Sequence, residues 1–222
     1  MTDRALTTFL LIAAAAAPLA AFFEGFDASG AVRFAPADQA WQSLFDGKSL
    51  GQWKSTEFGG EGKVSVSNGQ INLEAGAVLT GITWRGAAFP KTDYEISLEA
   101  KKVDGSDFFC GLTFPVGESH CSLIVGGWGG GIVGLSSLDG QDASENETTQ
   151  VMNFPANRWY RIRVRVTRHK IEAWLDEKNI VDVVTTGKRI SIRSEVDESR
   201  PLGIAAYQTG AALRDIKYRV LQ

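Results

Sequence analysis

From Trp41 onward apolar residues fall at every second position, and that period of two decides what the chain can fold into. In Tyr94-Glu95-Ile96-Ser97-Leu98-Glu99-Ala100 they alternate with polar ones. Tyr160-Arg161-Ile162-Arg163-Val164-Arg165-Val166 repeats the pattern with arginines between the apolar positions. Successive side chains of a strand point to opposite faces, so each run reads as a strand with one dry and one wet face. No ten-residue stretch after position 40 carries a helical stripe. Asn68-Gly69, between Val64-Ser65-Val66 and Ile71-Asn72-Leu73, suits the positive φ values of a tight hairpin turn. A second hairpin is expected over 171–183, turning at Asp176 to Asn179. Further strands fit 77–83, 106–114, 119–126, 130–135, 189–193, 202–208 and 213–221. Many short strands without a fixed repeat predict an all-β fold, a two-sheet antiparallel jelly-roll sandwich.

Composition enters where partners are concerned. A net charge of −3 lacks the basic excess that phosphate backbones demand, which argues against nucleic acid. The first forty residues are a different material: Leu6 to Phe23 is apolar apart from Thr7 and Thr8. This resembles a secretory signal, and Ala35-Pro36-Ala37 fits the small-x-small cleavage rule. A run of that length also suffices to anchor a chain in a bilayer. Residues 1–40 therefore read as a signal peptide or membrane anchor with a short linker, and 41–222 as the folded domain. The expected location is exported, periplasmic or extracellular, with membrane contact only through residues 5–23 if they are retained.

Candidate site residues follow from parity. Over 106–114, Phe108, Cys110, Leu112 and Phe114 share one face, while Asp107, Phe109, Gly111 and Thr113 share the other. In the partner strand Cys121, Leu123 and Val125 are apolar, with His120 and Ser122 opposite. Asp107, Thr113, His120 and Ser122 should therefore converge on a wetter face, with His120 either a general base or a locally bonded residue. Trp128, flanked by Gly126-Gly127 and Gly129-Gly130-Gly131, has little to pack against in its own segment. It reads either as part of a flexible turn or as a flat wall for a sugar ring. Cys110 and Cys121 share a face and read as a disulfide or as two buried thiols. Pairing depends on the turn: a two-residue loop is expected to set them opposite, a four-residue loop over 115–118 only diagonal.

Other motifs carry less. His120 and His169 are the only histidines and neither has a metal-spaced neighbour, so ligand spacing supports no metal, and no cofactor is evident. His169 reads as a turn residue. Glu195-Val196-Asp197-Glu198 lacks the carboxylate spacing of a glycosidase strand and reads as a solvated loop. Asp139, Asp142, Glu145 and Glu147 lack the calcium-loop pattern. Asn146-Glu147-Thr148 is a formal glycosylation sequon.

Two segments carry a resemblance. Trp41-Gln42-Ser43-Leu44-Phe45-Asp46-Gly47-Lys48-Ser49-Leu50, followed by Trp53, is similar to the opening of the 3-keto-disaccharide hydrolase family. Gly203-Ile204-Ala205-Ala206-Tyr207-Gln208 and Leu213-Arg214-Asp215-Ile216-Lys217-Tyr218 resemble its end. The resemblance implies a concanavalin A-like jelly roll and cleavage of a glycosidic bond next to a C3 ketone. A base removes the acidified C2 proton, the C1–O bond breaks as the leaving oxygen takes a proton, and water adds to the resulting glycal. It therefore implies a carbohydrate ligand or substrate, with a divalent metal on the ketone as an option. Two departures stand out. Thr209-Gly210 replaces the family's late His-Gly, and Leu123-Ile124-Val125-Gly126-Gly127-Trp128 replaces its acidic strand. Two functions follow, an exported glycoside-cleaving hydrolase or lyase and a non-catalytic carbohydrate- or surface-binding module. Candidate catalytic residues are His120 and Asp107; candidate sugar contacts are Trp128, Ser122 and Thr113.

Overall fold

A computed structural model describes residues 40–222. The apolar leader, its cleavage positions and its membrane role lie outside the described residues. Two antiparallel sheets pack face to face. One has eight strands, running Lys178–Val184, Lys170–Leu175, Tyr160–Val166, Tyr94–Lys102, Ala211–Val220, Gln70–Leu73 and Val64–Ser67, with Gln42–Ser43 pairing to Ala211–Val220. The other has seven, in the order Gln150–Val151, Ile132–Ser136, Ser119–Gly126, Cys110–Val116, Gly203–Tyr207, Leu79–Trp84 and Trp53–Ser55. This is the jelly-roll sandwich that the alternation demands.

Local signals placed the hairpins. Asn68 (φ 53) and Gly69 (φ 74) turn the chain between Val64–Ser67 and Gln70–Leu73. The second hairpin turns on Asp176 (φ 52), with Lys178 already in the returning strand. The core fills from both inner faces: Ile96, Leu98, Ile162 and Val164 of one sheet meet Leu112, Phe114, Leu123 and Ile204 of the other, all fully buried. Tyr94 pins the layers, its hydroxyl donating to the Pro115 carbonyl at 2.7 Å across the sandwich. Burial pushes that phenol's pKa up, so it stays a neutral donor.

The family-like segments prove structural. Leu44 and Phe45 are buried, and Asp46 Oδ1 accepts the amides of Lys48 (2.8 Å) and Ser49 (2.9 Å) to fold the following turn. Leu44 N–H donates to the Ile216 carbonyl (2.8 Å), and Leu44 in turn receives the Trp53 indole at 2.9 Å. The opening and closing motifs thus seal one another. These contacts hold the two ends of the domain together.

Three expectations are corrected. The segment 189–193 is no strand of either sheet: it runs beside the 137–141 loop through paired bonds between Ser137 and Ser191 (2.6 and 3.1 Å) and an isolated bridge at Ile190. Glu195-Val196-Asp197-Glu198 is solvated as expected, with all three carboxylates exposed, but it forms the body of a 3-10 turn, Ser194–Ser199, rather than an irregular loop. The cysteines remain free and buried. The turn falls at Gly117-Glu118, which sets Cys110 opposite Val125 and Cys121 opposite Phe114. Four residues of register, about 13 Å of strand, then separate them, far beyond a disulfide's span. Burial raises both thiols to about 12, which keeps them protonated and unreactive.

Candidate functional site

The outer face of the seven-stranded sheet carries two unlike rows. Pairing register aligns Gly134, Ile124, Gly111, Ala205 and Gly81 across five strands. The next row reads Ser136, Ser122, Thr113, Gly203 and Thr83. Their alternates, Leu135, Leu123, Leu112, Ile204 and Ile82, are all fully buried in the core, which fixes these rows as outward-facing. A row of small residues broken by Ile124 thus lies beside a row of hydroxyls, and Thr113 and Ser122, expected on a wetter face, are in fact nearly covered (1% and 2% exposed). Thr113 and Ser122 share a hydrogen bond of 2.8 Å in that row.

A cleft of about 290 Å³ opens over this face. Leu79, Phe108, Ile124 and Tyr207 form its apolar side, and Ser122 and Ser136 bring hydroxyls to it. Phe108 and Tyr207 stack with centroids 5.9 Å apart and planes 28° from parallel. Gly111 makes this geometry accessible, because a Cβ there would come within 2.9 Å of the Phe108 ring. The parity assignment of Phe108 and Phe109 is therefore reversed. The strand begins only at Cys110, and Phe109 is the buried partner of Phe154 and Tyr160.

Trp128 forms a wall of the cleft and is 42% exposed. It sits in a one-turn segment, Gly127–Gly130, closed by the Gly131 amide on the Gly127 carbonyl at 3.1 Å. Its own backbone is left-handed (φ 48, ψ 59), as is that of Gly129 (φ 83). A bulky residue there costs on the order of 1–2 kcal/mol relative to glycine, so something must hold it. Asp107 does so. Its Oδ2 accepts the Gly129 amide at 2.9 Å and its Oδ1 the Phe108 amide at 2.8 Å. Asp107's own amide donates to Thr209 Oγ1 at 3.0 Å, and Thr209 is fully buried. The residue that stands where the family pattern has histidine is thus part of the brace behind Trp128.

The remaining wall comes from far along the chain. Arg193, Glu195 and Val196 of the 3-10 turn line the cleft. Arg193 bridges Glu195 (2.6 Å) and Asp142 (3.1 Å), tying the turn to the loop that follows Ile132–Ser136. The Arg193 guanidinium holds the Glu195 carboxyl below the usual carboxylate range. Both carboxylates that line the cleft are therefore engaged, Asp107 by two amides and Glu195 by a cation.

The structure brings Asp107, Ser122 and Trp128 into one cleft, with Thr113 bonded to Ser122 just beneath. It leaves His120 out of the lining. His120 pairs with Pro115 near the Gly117-Glu118 turn, one row past the hydroxyls. Burial, reinforced by Arg200 and Lys91, lowers its pKa, so the ring is neutral at pH 7. Arg193, Glu195, Phe108 and Tyr207 were missed by sequence reasoning. Asn146 is unavailable to a glycan because its Nδ2 donates to the carbonyls of Leu135 (2.7 Å), Gln141 (3.2 Å) and Asp142 (2.7 Å). Among the described residues no cluster of His, Cys, Asp and Glu could hold a metal.

Fold and cleft together define a galectin-like jelly roll with an aromatic-walled groove on one sheet. Residues 40–219 match the 3-keto-alpha-glucoside-1,2-lyase-like domain, and the chain belongs to that family. Among curated proteins no sequence matches. Solved structures agree on the fold. A Bacillus subtilis protein with a galectin-like fold aligns with TM-score 0.56 at 11% identity, covering 84% of this chain and 98% of its own. The Crh5 transglycosylase in complex with NAG aligns with TM-score 0.54 at 11% identity, over 82% and 84%. Domain 4 of AbnA, an arabinanase from Geobacillus stearothermophilus in complex with arabinotriose, gives 0.51 at 12% identity, over 82% and 92%. At these identities the likeness concerns the fold alone.

Proposed function

We propose that this protein binds a glycoside in the cleft, holding it rather than turning it over. One sugar ring stacks on the exposed indole of Trp128, and its hydroxyls meet Ser122, Ser136 and the polar edge of the Arg193–Glu195 pair. The observation that carries this reading is the brace. A strained, exposed tryptophan is held at the rim through its neighbour's amide, Gly129 N–H donating to Asp107 Oδ2. Strain retained against its cost points to a function at that position. A sugar's C–H face and an indole attract by dispersion, which rewards a rigid, desolvated wall. The solved relatives lend support of a general kind, since some are complexes with sugars.

Family membership favours a second reading, cleavage of a 3-keto-glycoside. That route needs a base on the C2 proton, and the cleft's two carboxylates are already committed. Calorimetric titration with methyl α-glucoside and its 3-keto derivative, run beside an assay for released methanol, separates the two. Binding without release supports the holding role. Release that disappears in Asp107→Asn establishes the lyase. The apolar leader supports export, and N-terminal sequencing from the secreting host should find a mature chain starting between Ala21 and Trp41.

A further inference from the structure

A second groove of about 500 Å³ lies on the far side of the Trp128 turn. Its walls include Gly129, Gly130 and Gly131 of that turn, Gly105-Ser106 next to Asp107, and Lys102 and Asn153. The two concavities are therefore lined by neighbouring residues of the same pair of chain segments, 105–108 and 128–131. A Cβ on Gly129 would project into open space, whereas one on Gly130 (φ +99) would come within 3.0 Å of the Ser106 carbonyl and 3.9 Å of Lys102 Nζ. Past Trp128, the Gly129–Gly131 stretch presents no side chain.

We propose that the two grooves form one track for an extended glycan, with the first sugar on Trp128 and the following sugars passing over Gly129–Gly131 to Lys102 and Asn153. This rests on the sugar-binding reading of the cleft and names its ligand class, an oligosaccharide rather than a monosaccharide. Three observations support it. The cleft alone, at about 290 Å³, sits at the small end of ligand pockets, whereas both grooves together lie well inside that range. Exposed apolar side chains follow the track: Val78 (39%) and Trp128 (42%) line the cleft, and Val151 (81%) lines the second groove. Bare backbone and a Lys–Asn end offer hydrogen-bond donors to ring hydroxyls, and among the described residues no ion pair occupies the Lys102 ammonium.

The test is calorimetric titration of the whole chain with α- and β-linked gluco-oligosaccharides and arabino-oligosaccharides of one to six sugars. The expected result is affinity that rises with length in one series, the hexasaccharide binding about tenfold more tightly than the disaccharide. Lys102→Gln combined with Asn153→Ala should bring that ratio close to one, with the melting temperature unmoved. Two outcomes overturn the inference alone: disaccharide and hexasaccharide binding equally well, or a length ratio that survives the double substitution. Failure of every series to bind removes the sugar-binding reading itself, and this inference with it.

Discussion

The two outer faces of the sandwich use similar side chains to opposite ends. On the eight-stranded sheet, tryptophans lie under cations: Arg163 is 3.8 Å from the Trp174 ring centroid, and Arg214 is 4.0 Å from that of Trp159. Glu95, fully buried, gathers Arg163 (2.8 Å), Arg165 (2.7 Å) and Arg219 (2.6 Å). The alternating arginines of Tyr160–Val166 are there to be paired and stacked, so this face is finished. On the seven-stranded sheet Trp128 has no such cover, and glycine and hydroxyl rows replace the charges. A covered indole stabilises the protein, while an open, braced one is left for a ligand.

The largest expected effect tests the finished face. Burial alone would raise the Glu95 pKa, but hydrogen bonds from Arg219 and Arg165 outweigh it and bring the value below 4.5. Glu95→Gln should cost about 3 kcal/mol in denaturant unfolding, because it leaves several guanidinium groups without their buried anion. The sign with pH follows from the lowered pKa. The contribution is complete above the unfolded value near 4.5 and disappears as pH falls through the lower folded one, so wild type should lose stability there and Glu95→Gln should not share that loss. Ligand affinity at neutral pH should be unchanged. A drop in affinity would mean that the two faces are coupled.

Trp128→Ala should do the reverse, weakening glycoside binding by about 1–2 kcal/mol while stability stays nearly constant. A sharp fall in melting temperature with affinity intact would make Trp128 a packing residue. Asp107→Ala should weaken binding by a similar but smaller amount, about 1 kcal/mol, by releasing the Gly129 amide, with both the free and bound turn reporting the change in amide exchange. The smallest effect sharpens the contrast from the other side. Trp174→Ala should cost about 0.5–1 kcal/mol of stability through its lost cation–π contact and leave binding untouched.

What was legible in the sequence was local. Asn68-Gly69 and Asp176 announce their turns because φ preference is a property of the residue itself, and alternation over 94–100 and 160–166 fixes which side chains enter the core. The cleft was legible only in part. Ser122, Thr113 and Trp128 follow from strand parity and glycine flanks, but parity fails at Phe108 because the chain is not yet a strand there. Gly111 was the available signal, since a glycine inside an apolar strand marks a close approach, here by an aromatic ring. Arg193 and Glu195 could not be read at all. They reach the cleft through a salt bridge to Asp142, and no local pattern encodes that partner. The cysteine pairing failed on a register difference, a turn at Gly117-Glu118 in place of one nearer Pro115.

The six tryptophans provide the most direct measurement of the central claim, because each indole N–H gives its own resonance. Titrating the protein with the tightest-binding oligosaccharide should shift the Trp128 signal to saturation and leave those of Trp41, Trp53, Trp84, Trp159 and Trp174 in place. If instead the Trp159 or Trp174 signal moves while Trp128 stays fixed, the ligand lies on the charged face and the assignment of the two faces is wrong.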